Sequence, residues 1–208
     1  MKNVGAVPSS FTLVHKALAF KVAVLFMALY YLANAGLFAG EMTDARINIG
    51  LKLFRAILAA DLDIKSKKST HGKLPVLIIY KDNSNKGKRF ADNLLMLGRK
   101  SGQAQIKNIP IDVKYISYQT FLVEQHSLPA GIFLVEKMSI DELQPIVDYG
   151  IKNHIITYSP FDGDVEKNIT AGVTIGARVR PTINMNTLNE SDIQIKSFFL
   201  KVAKKYEP

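Results

Sequence analysis

The chain has 208 residues, of which 48% are hydrophobic and 22% charged, and its formal net charge is +9. This is the composition of a folded globular protein, which excludes a disordered chain and leaves little room for a second domain. Cysteine is absent, so disulfides, thiolate nucleophiles and cysteine-ligated metals are all excluded.

The N-terminus has the pattern of a secretory signal. Three lysines and no acidic residue precede an apolar run at 22–32, which is shorter than the ~20 residues of a membrane span. Small residues follow this run, so we predict a signal peptide over 1–35, cleaved after Ala35 or alternatively after Ala39. The mature domain would be periplasmic with a net charge of +6, because the signal removes three lysines and no acids from the total of +9. An uncleaved N-terminal anchor is the alternative interpretation.

The positive charge has two explanations. A mildly basic exported domain points to an anionic membrane surface or an acidic partner, and not to nucleic acid. A solvated basic surface that keeps the protein soluble explains the same charge. Both explanations stay open on the sequence alone.

Helices and strands are predicted to alternate through the first half of the domain. A helix over 44–60 is predicted by apolar residues that recur every three or four positions. The continuous apolar run over 74–80 is typical of a strand buried on both faces. A helix over 86–99 and a strand over 109–117 with alternating apolar residues are predicted to follow.

Three further elements are predicted before residue 160. Short apolar runs predict buried strands over 131–136 and 154–159. Between them a serine–glutamate capping pattern predicts a helix over 139–149, which Pro145 is expected to restrict to two short turns. Strands and helices that alternate through short links predict an α/β fold with one mostly parallel sheet flanked by helices.

The stretch 172–186 has two interpretations, a β-hairpin or a glycine-rich phosphate loop. Apolar residues alternate on both sides of a predicted bend at Gly176 and Ala177, which favours the hairpin. A phosphate loop needs a helix after its glycines, whereas a strand is predicted here. Pro181 cannot donate to a strand ladder, so its strand is predicted at the sheet edge, or at the edge at that point.

The end of the chain is predicted to be a helix over 193–207. Its buried face is predicted from four spaced residues, Ile195, Phe199, Val202 and Tyr206. Lysines near the end of this segment suit the negative end of the helix dipole. The domain is therefore predicted to span 44–205, with a β-hairpin and a terminal helix at its C-terminal end.

The sequence contains no recognisable catalytic or metal-binding pattern. None of the four histidines has a partner at a metal-ligand spacing, and no serine lies in a nucleophile elbow. The Asp-Gly-Asp at 162–164 lacks the spaced oxygen ligands of a calcium loop and is interpreted as a turn. We therefore predict a non-enzymatic protein with no cofactor and no metal. An enzyme whose motif is not recognised is the alternative interpretation.

Several motifs between 153 and 204 together carry a family resemblance. They are Ser159 and Phe161 after a strand, the pair Ala171-Gly172, the segment Arg180–Asn184 and the tail Ile193–Ala203. In these motifs the chain resembles the YfiR-like family of small periplasmic proteins, with a looser match over 44–136. It departs from the family in lacking cysteines, in having Pro160 where an Asp is common, and in a longer loop over 161–170.

The resemblance implies a periplasmic regulator without enzymatic activity. Such a protein binds the periplasmic sensor region of a membrane-bound signalling protein and restrains it, and the implied partner is a diguanylate cyclase that controls cyclic di-GMP. Restraint follows if the regulator binds the inactive state of the partner more tightly, because the population of that state then rises. A homodimer is left open, and disulfide-based redox control is excluded by the lack of cysteine.

The alternative function is small-molecule binding by a domain similar to one lobe of a periplasmic solute-binding protein. Ligands of open α/β sheets bind beyond the carboxyl ends of the strands. The polar residues predicted at that edge, for a ligand or a partner, are Lys81, Asp82, Asn83, Glu136, Lys137 and Ser159. The ordinary polarity of surface loops also explains these residues.

Overall fold

The computed structural model describes residues 27, 40–100, 102–124 and 127–207. Residue 27 apart, the predicted signal peptide and both of its cleavage sites lie outside the described residues. The chain divides into two compact units, and the second, Arg46–Pro208, contains the sheet. Among the described residues, no helix combines the length and the apolar character that a membrane span requires.

The elements of the described residues alternate along the chain, as the sequence predicts. The helices are α1 (40–60), α2 (Ser84–Met96), α3 (Tyr118–Val123), α4 (Ile140–Lys152), α5 (Met185–Glu190) and α6 (Ser197–Val202), with a 3-10 turn at Val165–Lys167. The strands are β1 (Leu74–Tyr80), β2 (Arg99–Lys100), β3 (Gln103–Ile106), β4 (Ile109–Ser117), β5 (Gly131–Leu134), β6 (Ile156–Ser159), β7 (Ala171–Ile175), β8 (Val179–Asn184) and β9 (Lys204–Tyr206).

All nine strands form one sheet in the order β2-β3-β4-β1-β5-β6-β7-β8-β9. The five strands from β4 to β7 in this order are parallel, and β8 turns back antiparallel to β7. In register, Val76 of β1 lies between Val113 of β4 and Gly131 of β5. The predicted α/β fold with a mostly parallel sheet is confirmed.

The sheet has an apolar layer on each face, which explains the continuous apolar run of β1. Val76 and Ile78 contribute to one core with α1 and α2, whereas Leu77 and Ile79 contribute to a second core with α3 and α4. Successive side chains of a strand point to opposite faces. A strand covered on both faces therefore needs apolar residues at every position.

Helix α1 is fixed to the sheet by aromatic packing. Phe54 of α1 contacts the rings of Phe133 in β5 and Tyr158 in β6, with ring centroids 5.4 and 5.6 Å away. Phe133 and Tyr158 stack on each other at 5.3 Å. This contact is possible because β5 begins with Gly131, where a Cβ would lie 2.9 Å from the Phe54 ring.

The prediction that Pro145 restricts its helix is wrong. Helix α4 runs unbroken over 13 residues with Pro145 inside it. The proline lacks the N–H that would bond to the carbonyl of Asp141. The next two residues, Ile146 and Val147, are buried in the core, and their burial offsets the lost hydrogen bond.

The predicted helix over 193–207 is also wrong in extent. Only Ser197–Val202 are helical, and Lys204–Tyr206 form β9, which pairs parallel to β8. Ile195 instead forms an isolated bridge with Asp61, and Val202 is 59% exposed. Pairing with β8 satisfies backbone groups at the end of the chain, and this tertiary contact overrides the local helical pattern.

Smaller differences occur at element ends. The helix predicted over 86–99 ends at Met96, and Arg99 begins β2. The predicted hairpin is confirmed, with its bend at 176–178. Strand β9 pairs with β8 only from Thr182 onward, so Pro181 is at the edge at that point although β8 is not the outermost strand.

Gly172 lies in β7 where a side chain has no room. A Cβ at this position would lie 2.7 Å from the carbonyl oxygen of Ser159 and 2.7 Å from Cγ2 of Val165. At Gly176, at the bend of the same hairpin, no atom of the described residues beyond its two chain neighbours lies within 4 Å of the corresponding position. The two glycines therefore form a matched pair for testing the packing of β7 against β6.

We expect Gly172→Ala to lower the free energy of unfolding by about 1–3 kcal/mol, because the backbone of β6 must move to admit the methyl group. Gly176→Ala should change it by less than about 0.5 kcal/mol. Urea denaturation followed by circular dichroism measures both variants. Equal stability of the two would contradict the close approach of β7 and β6.

Candidate functional site

The carboxyl ends of β1 and β5 meet at the point where the strand order reverses. From β1 the chain crosses to β4 on one side and later returns to β5 on the other side. In open α/β sheets this is the position at which ligands bind. The residues Lys81–Asn83 follow β1, and Glu136 follows β5 after one residue, so the structure brings these four predicted residues together.

The Glu136 carboxylate fills the turn between β1 and α2. Its Oε2 atom accepts hydrogen bonds from the backbone amides of Lys81, Asp82 and Asn83, at 2.8, 3.0 and 3.1 Å. Converging amides in a strand-to-helix turn form a nest that favours an anion. Here the chain supplies that anion itself.

The electrostatics of Glu136 are consistent with this role. Burial pushes its pKa upward, but the three backbone hydrogen bonds lower it by more, so the pKa lies below its usual value. The side chain of Asn83 caps α2 by accepting from the amide of Lys86 at 3.0 Å. The turn is therefore held from both sides, by the carboxylate and by the helix cap.

Lys81 extends the network to helix α4. Its ammonium group lies 2.7 Å from one carboxylate oxygen of Glu142 and 3.0 Å from the other. The hydrogen bond with Glu142 raises the pKa of Lys81, and the same bond lowers the pKa of Glu142. Glu142 also completes the predicted capping box with Ser139, so this pair links the turn after β1 to the start of α4.

Lys137 belongs to a separate set of contacts around the loop after β6. Its ammonium group donates to the carbonyl oxygen of Asp162 at 2.9 Å. Arg46 of α1 donates to the carbonyl oxygen of Pro160, to the Asp162 carboxylate and, at 3.0 Å, to the carbonyl oxygen of Val173. These bonds tie the loop to both α1 and the end of β5.

Ser159 is buried and has a structural role. Its hydroxyl donates to Oδ2 of Asp164 at 2.6 Å and accepts from the amide of Phe161 at 3.2 Å. Asp164 is fully buried, and its Oδ1 has no hydrogen-bond partner among the described residues. Burial raises the pKa of Asp164, although the Ser159 hydroxyl acts in the opposite direction. The hydrogen bond between Ser159 and Asp164 holds the loop over 161–170 against the end of β6.

Several residues of the network were not predicted as site residues, among them Arg46 and Asp164. Arg46 lies in the amphipathic pattern of α1, where an arginine is an ordinary surface residue. Asp164 was interpreted as part of a turn, and no local signal distinguishes a buried aspartate from an exposed one. The Ser139–Glu142 cap was identified from its spacing, but its link to Lys81 depends on the strand order.

Two grooves with polar lining lie at the opposite edge of the sheet. One of about 490 Å³ is bordered by the loop over 66–70, by Pro75 at the start of β1 and by residues that precede β5 and β6. Its Lys67 already bonds to the Asp61 carboxylate at 2.8 Å and to the carbonyl oxygen of His154 at 2.7 Å. No cluster of metal-ligating side chains occurs in the described part of the chain.

No family model matches the chain, and no curated protein matches it. Eight chains of solved structures match, and one is described as an "ABC domain in complex with L-Trp from Streptococcus pneumonia". Its TM-score is 0.46 and its identity 14%, over 72% of this chain and 61% of that chain. This chain thus spans about three fifths of that structure's length. A similarity at this level implies nothing about a ligand here, and the resemblance to the YfiR-like family stays a prediction.

Replacing Glu136 by glutamine removes the charge and keeps the size. We expect Glu136→Gln to cost about 1 kcal/mol at neutral pH, a value at the low end because the carboxylate is partly exposed. The folded pKa is below the usual value, so this contribution is complete above the unfolded pKa of about 4.3 and is lost as the pH falls through the folded pKa.

Wild type and Glu136→Gln should therefore converge in stability as the pH falls below about 4. Urea unfolding across a pH series measures the difference. Glu207→Gln is the control, because Glu207 is exposed after β9 and its loss should leave stability unchanged at every pH. A difference for Glu136→Gln that stays constant into acid would show that charge is not the reason for it.

Proposed function

We propose that the chain is a non-enzymatic, periplasmic binding protein that restrains a membrane-bound signalling protein. The observation that carries this proposal is that polar groups at the strand-reversal point already form hydrogen bonds within the domain. At the strand-reversal point, the three amides of the turn after β1 are bonded to Glu136. Lys81 is bonded to Glu142 beside them.

Because these polar groups are bonded within the domain, the site favours a protein partner over a small substrate. An active site or solute site needs polar groups that are free to contact the ligand. Here the three turn amides are bonded to Glu136, and the side chains of Lys81 and Lys137 are bonded to other residues of the domain. A protein partner needs a preformed surface, because ordering loops during association lowers affinity. The bonds of Arg46 and Lys137 to the loop after β6 supply that order in advance.

The family resemblance suggests the class of partner. It implies a diguanylate cyclase whose sensor region faces the periplasm. The regulator would act by binding the inactive state of that sensor more tightly than the active state. Cyclic di-GMP is made on the other side of the membrane in this scheme, so it would not contact this chain.

The test is capture of the partner from the membrane. The tagged protein, cross-linked in cells and purified from solubilised membranes, is expected to retain a membrane protein with a cyclase domain. Deletion of the gene should raise cyclic di-GMP and increase biofilm, because the restraint is lost. Unchanged cyclic di-GMP together with the capture of no signalling protein would overturn the proposal.

Binding of a small anion is the second candidate function, and the convergence of three amides on one carboxylate favours it. A ligand carboxylate or phosphate would have to displace Glu136 from the nest. Such a protein would be a solute binder related to one lobe of a solute-binding protein. The two candidates therefore differ in whether a ligand competes with Glu136.

Thermal unfolding with amino acids, sugars and inorganic anions separates the two functions. We expect no rise in the Tm of the wild type, because its amides are already bonded. Glu136→Ala with sulfate is the positive control, since the freed amides should bind the anion and raise the Tm by a few degrees. A comparable rise for the wild type with any of these solutes would favour the second candidate.

A further inference from the structure

The hairpin between β7 and β8 and helix α6 meet at one end of the sheet. They enclose a groove of about 450 Å³. The groove is lined by Arg178, Val179, Arg180, Pro181, Lys201 and Val202. We call the hairpin residues 175–181, together with α6 and β9, the α6–hairpin surface.

The charge of the α6–hairpin surface has one sign. The groove is lined by three basic side chains and no acidic one, and β9 adds Lys204 and Lys205, both exposed. Within the part of the chain that the structure describes, these five side chains form no ion pair or hydrogen bond. Their positive charge is therefore not neutralised by the domain itself.

The same elements also expose apolar side chains. Ile175 and Val179 face each other across the hairpin and are 42% and 47% exposed. Phe198 and Val202 are four residues apart, hence on one face of α6, and are 61% and 59% exposed. Exposed apolar residues among unpaired basic ones are the composition of a surface that lies on anionic lipid.

We propose that the α6–hairpin surface docks on an anionic lipid bilayer. The apolar side chains enter the boundary between headgroups and acyl chains, and the arginines and lysines contact lipid phosphates. This goes beyond the proposed function, because it assigns a contact with the membrane itself in addition to the contact with a membrane protein. Docking would confine the regulator to the plane in which its partner diffuses.

The contrast with the carboxyl ends of β1 and β5 favours lipid over an acidic protein. Recognition of individual carboxylates uses charged side chains that are held in place by further hydrogen bonds. Lys81 and Arg46 are held in this way, whereas no described residue holds Arg178, Arg180 or Lys201. Long basic side chains that are not held in place suit the diffuse negative potential of a headgroup layer, because lipid phosphates do not have to be met at fixed positions.

The test uses the protein purified in the form that cells accumulate, mixed with protein-free vesicles and sedimented. Wild type should bind vesicles that contain phosphatidylglycerol, bind pure phosphatidylcholine far less, and dissociate in high salt. The variant Arg178→Gln/Arg180→Gln/Lys201→Gln should bind about 100-fold more weakly, at about fivefold per basic side chain. Phe198→Ser/Val202→Ser should weaken binding about tenfold, since exposed residues can be replaced without loss of the fold.

The matched control is Lys65→Gln/Lys68→Gln/Lys73→Gln. It removes the same charge from exposed lysines in the loop before β1, at the opposite edge of the sheet, and should bind like wild type. The proposal is overturned if wild type does not bind phosphatidylglycerol vesicles, or if the control loses as much binding as the groove variant. Binding of the groove to an acidic protein with no binding to vesicles would assign it to a protein partner instead. Because the vesicles contain no protein, the result is independent of the partner's identity.

Discussion

The contact of helix α1 with strands β5 and β6 determines where the residues of the candidate site lie. Phe54 can approach the sheet because Gly131 has no side chain, and its ring completes a cluster with Phe133 and Tyr158. Tilted and stacked rings at such distances are favourable beyond the burial of their surface. This cluster positions α1, so that Arg46 reaches the loop after β6. It also fixes β5, whose end carries Glu136 into the turn after β1.

Two regions along the carboxyl edge of the sheet use charge in opposite ways. Around the reversal point, Glu136, Lys81 and Lys137 are bonded to partners from other elements, which holds these side chains in place. On the α6–hairpin surface the basic side chains have no partner among the described residues and extend into solvent. A region whose charged side chains are held by hydrogen bonds recognises the shape of a partner. A region whose charged side chains have no such bonds responds to the electrostatic potential within about a Debye length. One small domain can therefore make a specific contact and a diffuse one at the same time.

The parts of the fold that depend on local pattern could be predicted from the sequence. Strand β1 was predicted at its observed bounds from an apolar run that only a doubly covered strand requires, and the Ser139–Glu142 cap was found from spacing alone. The errors occur where contacts between residues distant in sequence determine the secondary structure. Lys204–Tyr206 join the sheet because β8 offers them a pairing edge, and α4 passes through Pro145 because the residues beyond it are buried.

The candidate site was likewise predictable only in part. The strand–helix alternation places Lys81–Asn83 and Glu136 at one edge of the sheet, and this proximity follows from the order of elements. That Glu136 would accept hydrogen bonds from all three amides depends on the register of β1 against β5, which the sequence does not encode locally.

The outer strands of the sheet have a separate consequence. Strand β2 has two residues and β9 three, and β9 exposes adjacent lysines. A second molecule aligned against β9 would gain few backbone bonds and would bring like charges together, which opposes growth of the sheet into fibrils.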